Sequence, residues 1–280
     1  MNGTLTQMIA LVSAIHGTMD GQRYDTRELM QKPSFSYCSR IVFIDELDVN
    51  RPDSREPEDL SHWLASLIDD RVQNARLAYV GSDETIAPDH HAPDHQLAAF
   101  ANGGGTWQIV LSFPDRSEQW TSRWVVKKPG FFADRSRIWE VTYRISARSE
   151  LVNAPPPARL SEAKTRLRLA LDRIHAFATK HALSIWAETF DRARKVLEGT
   201  TEQNSGNETF FVYPNCCPRD ARQLFSAASA AWVFGGMGSW NDLGFDPESE
   251  HREYEELSAE LYQAILFAIQ QGSNAFGSEA

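Results

Sequence analysis

Apolar positions recur at two different periods along the chain, and the change from one to the other divides it. Leu5, Met8, Ile9, Val12 and Ile15 form a stripe at helical spacing, broken in character by Gln7, Ser13 and His16. That pattern predicts an amphipathic first helix stopped at Gly17. Residues 18–33 are polar and read as a loop. Residues 35–44 alternate and then turn continuously apolar at Ile41-Val42-Phe43-Ile44, as a strand entering a core does. Leu60, Trp63, Leu64, Leu67 and Ile68 share a helical face, with a start expected near Pro57. Strands are then predicted at 75–80, 107–113, 119–126 and 138–145. In the last, Trp139, Val141, Tyr143 and Ile145 alternate with Glu140, Thr142 and Arg144, the mark of a sheet wet on one face. Short connections between successive strands suggest an antiparallel meander.

The period changes after Ala154-Pro155-Pro156-Pro157-Ala158, a stiff, extended connector. Leu160, Ala163, Leu167, Ala170, Leu171, Ile174, Phe177 and Ala178 mark a long amphipathic helix, with Ser161 as its cap. A second helix opens at Ser184, turns Trp186, Phe190, Ala193 and Leu197 inward, and stops at Gly199. The short apolar run 210–213 reads as a strand returning to the front sheet. Leu224, Phe225, Ala228, Ala231 and Trp232 belong to a further helix, whose small residues Ser226-Ala227-Ala228-Ser229-Ala230-Ala231 admit a close neighbour. Gly235 and Gly236 suit its stop. A last helix begins at Asp246-Pro247, with the carboxylate as cap and Tyr254, Leu257, Leu261, Ile265 and Ala268 on its buried face. The expected fold is therefore α+β. An N-terminal antiparallel sheet with flanking helices spans 1–153, a Pro-rich connector spans 154–160, and a mainly helical region spans 161–280. The two halves are expected to share a core.

Composition narrows the function classes. Hydrophobic residues make up 42% of the 280 and charged residues 24%, which fits a folded chain. A formal net charge of −10 disfavours general binding to nucleic-acid phosphates, which needs a basic footprint. Three cysteines, two of them adjacent at Cys216 and Cys217, do not make a disulfide framework. No apolar run approaches the length of a membrane span, roughly 20 residues, and the N-terminus lacks the basic flank of a secretion signal. A cytoplasmic location is the resulting expectation, and oligomeric state is not fixed by the sequence.

Three stretches carry candidate chemistry. The glycine turn at 235–242 places Trp240, Asn241 and Asp242 on one hinged loop, an aromatic face beside an amide and a carboxylate, fit for a small ligand. It follows a helix and lacks the Lys-Ser/Thr of a phosphate loop, so a nucleotide reading fails on order. The acidic run Asp242, Asp246, Glu248, Glu250, Glu253, Glu255, Glu256 and Glu260 faces only Arg252. It offers a docking face, with Glu253 and Glu256 as contacts, for a basic protein partner; it would equally suit the cluster Arg159, Lys164, Arg166, Arg168 and Arg173 of the same chain. The third stretch is Asp89-His90-His91-Ala92-Pro93-Asp94-His95. Asp89, His91 and His95 would supply a divalent metal, although Pro93 interrupts any helix that aligns the two histidines and HExxH is absent. Two weaker patterns complete the set. Ser161-Glu162-Ala163-Lys164 matches Ser-x-x-Lys, and Cys217 precedes a helix N-terminus that would lower its thiol pKa. The leading expectation is a non-catalytic binding or regulatory protein, immunity- or antidote-like, that recognises a basic partner. The alternatives are a metal-dependent hydrolase using Asp89, His91 and His95, and a small-ligand site near the glycine turn.

Overall fold

The computed structural model describes residues 3–45, 58–81, 92–127, 136–150, 156–200 and 210–277. Its organising element is helix α1 (Gly3–Met19), and here the structure departs from the expected amphipathic stripe. Buried residues run almost without a break from Leu5 to Gly17, on every side of the helix. A helix with no wet face must satisfy its polar side chains internally, and α1 does so through the three residues that broke its apolar stripe. Gln7 accepts from the Tyr143 hydroxyl at 2.9 Å and donates to the Ser34 carbonyl at 3.2 Å. Ser13 Oγ accepts from the Tyr213 backbone N–H at 2.9 Å and donates to the Tyr213 carbonyl at 3.1 Å. His16 Nε2 donates to the Ala75 carbonyl at 3.0 Å. Gly17 does not stop the helix. It is small because a Cβ there would lie 2.1 Å from the Tyr24 hydroxyl and 2.9 Å from Tyr213 Cβ.

After the short helix α2 (Thr26–Leu29), β1 (Cys38–Ile44) enters the core. Helix α3 (Leu60–Asp69) is capped by Asp59, which accepts from the His62 N–H at 3.0 Å, so it begins later than Pro57. Leu60, Trp63, Leu64 and Leu67 are buried as the spacing predicts, whereas Ile68 is largely exposed. Strands β2 (Asn74–Gly81), β3 (Thr106–Ser112), β4 (Ser117–Val126) and β5 (Trp139–Ser149) pair antiparallel in sequence order, and the four-residue helix α4 (Asp94–Leu97) sits between β2 and β3. The expected meander is thus present, with one addition. Strand β1 joins its far edge parallel to β5, giving a mixed sheet of order β1-β5-β4-β3-β2. The inner face carries Phe43, Leu77, Ile109, Trp120, Tyr143 and Ile145, all buried.

The C-terminal half is helical: α5 (Leu160–Lys180), α6 (Ser184–Glu198), α7 (Arg219–Ala230) and α8 (Glu248–Ser273) pack on one another. Ser161 lies inside α5, whose N-cap is Arg159. Gly199 closes α6 in the left-handed conformation at φ 74°. Helix α7 ends at Ala230, before Gly235 and Gly236, and the left-handed residue of the following turn is Gly238. Pro247 is itself the N-cap of α8, in place of the expected Asp246 carboxylate. The described part of the run 210–213 is not a strand. It reaches the front half through α1, by the two Ser13 bonds above, while Phe211 packs within the C-terminal half against Phe225 and Phe276. Gly272 lets α8 approach α7, since a Cβ there would sit 3.0 Å from the Phe225 ring. Buried residues of both halves form one cluster around α1.

Burial holds the His16 imidazole below its ordinary pKa, partly offset by the Ala75 carbonyl and by Asp20. In the unfolded chain the same group titrates near about 6.5. Between the two values only the unfolded chain takes up the proton, so stability is complete above that pH and falls as pH drops below it. Urea unfolding of the wild type is expected to show this loss, at most about 1.4 kcal/mol per pH unit from one group. His16→Gln should flatten the slope between pH 6.5 and 5. An unchanged slope in that variant would show that another group governs the acid limb.

Candidate functional site

The glycine turn closes on itself and leaves little to bind with. Of the two readings of this turn, a recognition loop or a tight helix–helix connection plugged by Trp240, the second fits, since Trp240 is 0% exposed. Its indole N–H donates to Ser258 Oγ at 2.8 Å, and its ring meets Phe190, Trp186 and Tyr254 at centroid distances of 5.1, 5.5 and 5.4 Å. It is the plug that joins α6 to α8. Asn241 Nδ2 donates to the His95 carbonyl at 3.0 Å, and Asp242 accepts the Gly238 N–H within the turn. The acidic run is also largely engaged. Glu253 pairs with Lys180 at 3.1 Å, Glu250 with His181 at 3.7 Å, and Glu260 with Arg173, so the acidic flank of α8 lies on the basic flank of α5. Glu256 is exposed. The five residues expected to form one binding surface are thus dispersed: Trp240 inside, Asn241 and Asp242 closing local contacts, Glu253 on α5 and Glu256 in solvent.

Of the expected metal ligands, Asp89 and His91 lie outside the described residues. His95 is 3% exposed and its Nε2 donates to Glu255 at 3.1 Å, while Gln96 donates to the same carboxylate at 3.1 Å. Burial holds His95 below its ordinary pKa, against the pull of Glu255. This contact, with Asn241, fastens α4 to α8. Among the described residues no three His, Cys, Asp or Glu side chains stand close enough to hold a metal. Of the two readings of Cys217, a buried structural thiol and an activated nucleophile, the first fits. Burial pushes its thiol up to about 12, and those of Cys38 and Cys216 up to about 11, so the helix N-terminus does not prevail.

A different place gathers charged side chains around a concave surface. Between the inner face of the sheet and α3 lies a cavity of about 310 Å³. Trp63, Ser66, Leu67 and Asp70 line it from α3, at the i, i+3, i+4 and i+7 positions of one helical face. Phe43, Trp120 and Ile145 line it from the sheet. Phe43 stacks on Trp63 at 3.8 Å and on Tyr143 at 5.0 Å, and Trp120 meets Trp63 edge-on at 5.5 Å, so the floor is a braced aromatic layer.

The charged wall is built around Glu118, only 3% exposed. Its Oε1 accepts from Arg116 Nε at 2.8 Å and from Arg148 Nη2 and Nε at 3.1 and 3.2 Å. Its Oε2 accepts from the Trp120 indole at 3.1 Å. Arg116 also donates to Asp70 at 2.9 Å and Asp115 at 3.3 Å, and lies 4.0 Å over the Phe113 ring. Arg148 donates to Asp45 at 2.7 Å. Glu58 accepts from Ser66 Oγ at 3.0 Å. Burial alone would lower both guanidinium pKa values. Glu118 reverses this for both, with Asp70 and Asp115 acting on Arg116 and Asp45 on Arg148, and the net shift of each is upward.

Two backbone features place these groups. The β3–β4 hairpin brings Arg116 back over Phe113, whose N–H donates to the Arg116 carbonyl at 2.8 Å. A bulge in β5 does the rest. Trp120 pairs with Ile145, but Gln119 pairs with Ala147, so Ser146 is an extra residue. Strict alternation from Val141, Tyr143 and Ile145 would put Arg148 on the outer face. The bulge returns it to the inner face opposite Glu118. The wall was therefore missed for a definite reason. The one readable signal was Glu118 itself, a carboxylate at the same strand phase as Trp120 and Trp124.

Comparison with known proteins finds no matching family model, no matching curated protein and no matching solved structure. No helix among the described residues is long and apolar enough to cross a membrane.

Removing the Glu118 carboxylate leaves two partly buried guanidinium groups short of their shared acceptor. Glu118→Ala should lower unfolding free energy by about 3 kcal/mol, read from urea midpoints at constant slope. Glu256→Gln, on the exposed side of α8, should stay within about 0.5 kcal/mol of wild type. Equal effects from the two would remove Glu118 from its role as the anchor of the wall.

Proposed function

We propose that the chain acts by binding rather than catalysis, and that its partner is a basic protein which inserts a cationic side chain into the cavity between the sheet and α3. The observation that carries this is the make-up of the lining: five carboxylates, Asp45, Glu58, Asp70, Asp115 and Glu118, against two guanidinium groups, above an aromatic floor. A guanidinium or ammonium group entering there would find acceptors at the wall and ring faces beneath. Arg116 and Arg148 are bound to carboxylates of the same wall, which fixes the acceptors before the partner arrives. Preorganisation of this kind reduces the ordering cost of association. The net charge of −10 would steer a basic protein toward the surface and raise its rate of encounter. A protein that neutralises or regulates such a partner, in the manner of an immunity or antidote protein, would work in this way. This reading moves the expected acidic recognition surface from α8, where Glu250, Glu253 and Glu260 are paired with α5, to the cavity.

Purification from native extract at low and high salt tests the proposal. The expected result is a basic protein that co-purifies at low salt and is released at high salt. Asp115→Asn alters a side chain that is 74% exposed and should leave the fold intact. Combined with Asp45→Asn it should weaken the complex at least tenfold, about 1.4 kcal/mol. Recovery of the chain alone at low salt, or a complex indifferent to both substitutions, would refute the reading.

A further inference from the structure

A second cavity, of about 400 Å³, lies at the free edge of the sheet where β2 meets the end of α8. Arg76, Val110, Pro156, Arg159, Gln271 and Asn274 are among its lining residues. Arg76 and Val110 are cross-strand partners, in the opposite strand phase to Leu77 and Ile109. They therefore belong to the other face of the sheet from Glu118 and Trp120.

Arg76 Nε is buried without a hydrogen-bond partner, and no carboxylate among the described residues pairs with the guanidinium. Burial alone acts on it, and lowers its pKa. Arg76 is only partly buried, but its Nε is withdrawn from water without a counter-charge, in contrast to Arg116 and Arg148 on the other face. Two amides add to the donor set. Asn274 Oδ1 accepts the N–H of the edge residue Leu77 at 3.0 Å, and Gln271 Oε1 accepts the Arg159 N–H at 2.8 Å. A backbone N–H can bond only to the amide oxygen, which fixes both amides and leaves each NH2 as the other arm. The negative end of α8 is muted at this point, because its last carbonyls accept from Asn274, Ala275 and Phe276 at 2.9, 3.3 and 3.2 Å.

We infer that this cavity binds a small ligand bearing an oxyanion, a phosphate or a carboxylate, seated on the Arg76 guanidinium and flanked by the Gln271 and Asn274 amides. The planar fork of arginine matches two oxygens of such a group. The volume is that of a small-molecule site. Arg159 also lines the cavity, with its guanidinium paired to Glu162 at 3.0 Å.

Thermal unfolding with inorganic phosphate, with citrate and with sodium chloride at matched ionic strength provides the test, since a ligand that prefers the folded state raises the apparent midpoint. The inference expects a saturable rise with phosphate or with citrate beyond that in chloride, and which of the two acts identifies the oxyanion. Arg76→Leu and Arg76→Gln should each weaken the effect at least tenfold in concentration. Without ligand, Arg76→Leu should be no less stable than wild type, because it removes an uncompensated charge. Asp115→Asn, at the other cavity, should leave the rise unchanged. No saturable rise with either anion, or a rise that survives in both Arg76 variants, overturns the inference while leaving the basic-partner reading untouched.

Discussion

A polar atom withdrawn from water needs a partner inside the protein, and helix α1 is where this constraint shapes the whole molecule. The helix is covered on every side, so Gln7, Ser13 and His16 must be met by the tertiary structure. Each is met by a different part of it: Gln7 by Tyr143 of β5, Ser13 by the backbone at Tyr213, and His16 by Ala75 of β2. Three bonds thus set α1 in register with the sheet and with the chain entering α7. They explain why a sheet and a helical bundle with different periodicities share one core. Apolar burial supplies the driving force, but it is indifferent to a small rotation of the helix; the three polar contacts are not.

The same constraint separates the two cavities. At the inner cavity, Glu118 satisfies two guanidinium groups and an indole, and is itself satisfied by them. That wall is complete before anything binds, and its surplus of carboxylates suits a positive group. At the edge of the sheet, Arg76 has no such acceptor among the described residues, and its deficit suits a negative group. The two sites proposed on opposite faces of one sheet therefore differ in preference. The acidic flank of α8, conspicuous along the sequence, is partly engaged within the chain, Glu253 by Lys180, Glu250 by His181 and Glu260 by Arg173. Charge density in a sequence does not distinguish charge available to a partner from charge already engaged.

Periodicity made the elements legible and pairing decided the rest. The five strands and the long helices lie where alternation and helical spacing put them, because those patterns record which side chains face the core. The stripe on α1 was readable, but its burial all round was not, since coverage of the polar side depends on β2, β5 and the segment near Tyr213. The short apolar run at 210–213 looked like a strand because four apolar residues carry no period of their own; Phe211 instead packs among aromatic rings. Trp240 beside two glycines looked like a recognition loop, and the facing rings of α6 and α8 that enclose it lie far off in sequence. The charged wall was least legible of all. It depends on one extra residue, Ser146, which reverses the phase of β5 and brings Arg148 opposite Glu118. No local pattern marks that insertion.

The inner cavity, rather than α8, is the proposed surface of recognition. Hydrogen exchange in the presence of the proposed basic partner, compared with the free chain, distinguishes the two surfaces. Slower exchange is expected in residues 58–70 and 113–118, which frame the cavity, with no change along the exposed side of α8 around Glu256. Protection concentrated on α8, with the cavity residues exchanging as before, would contradict it.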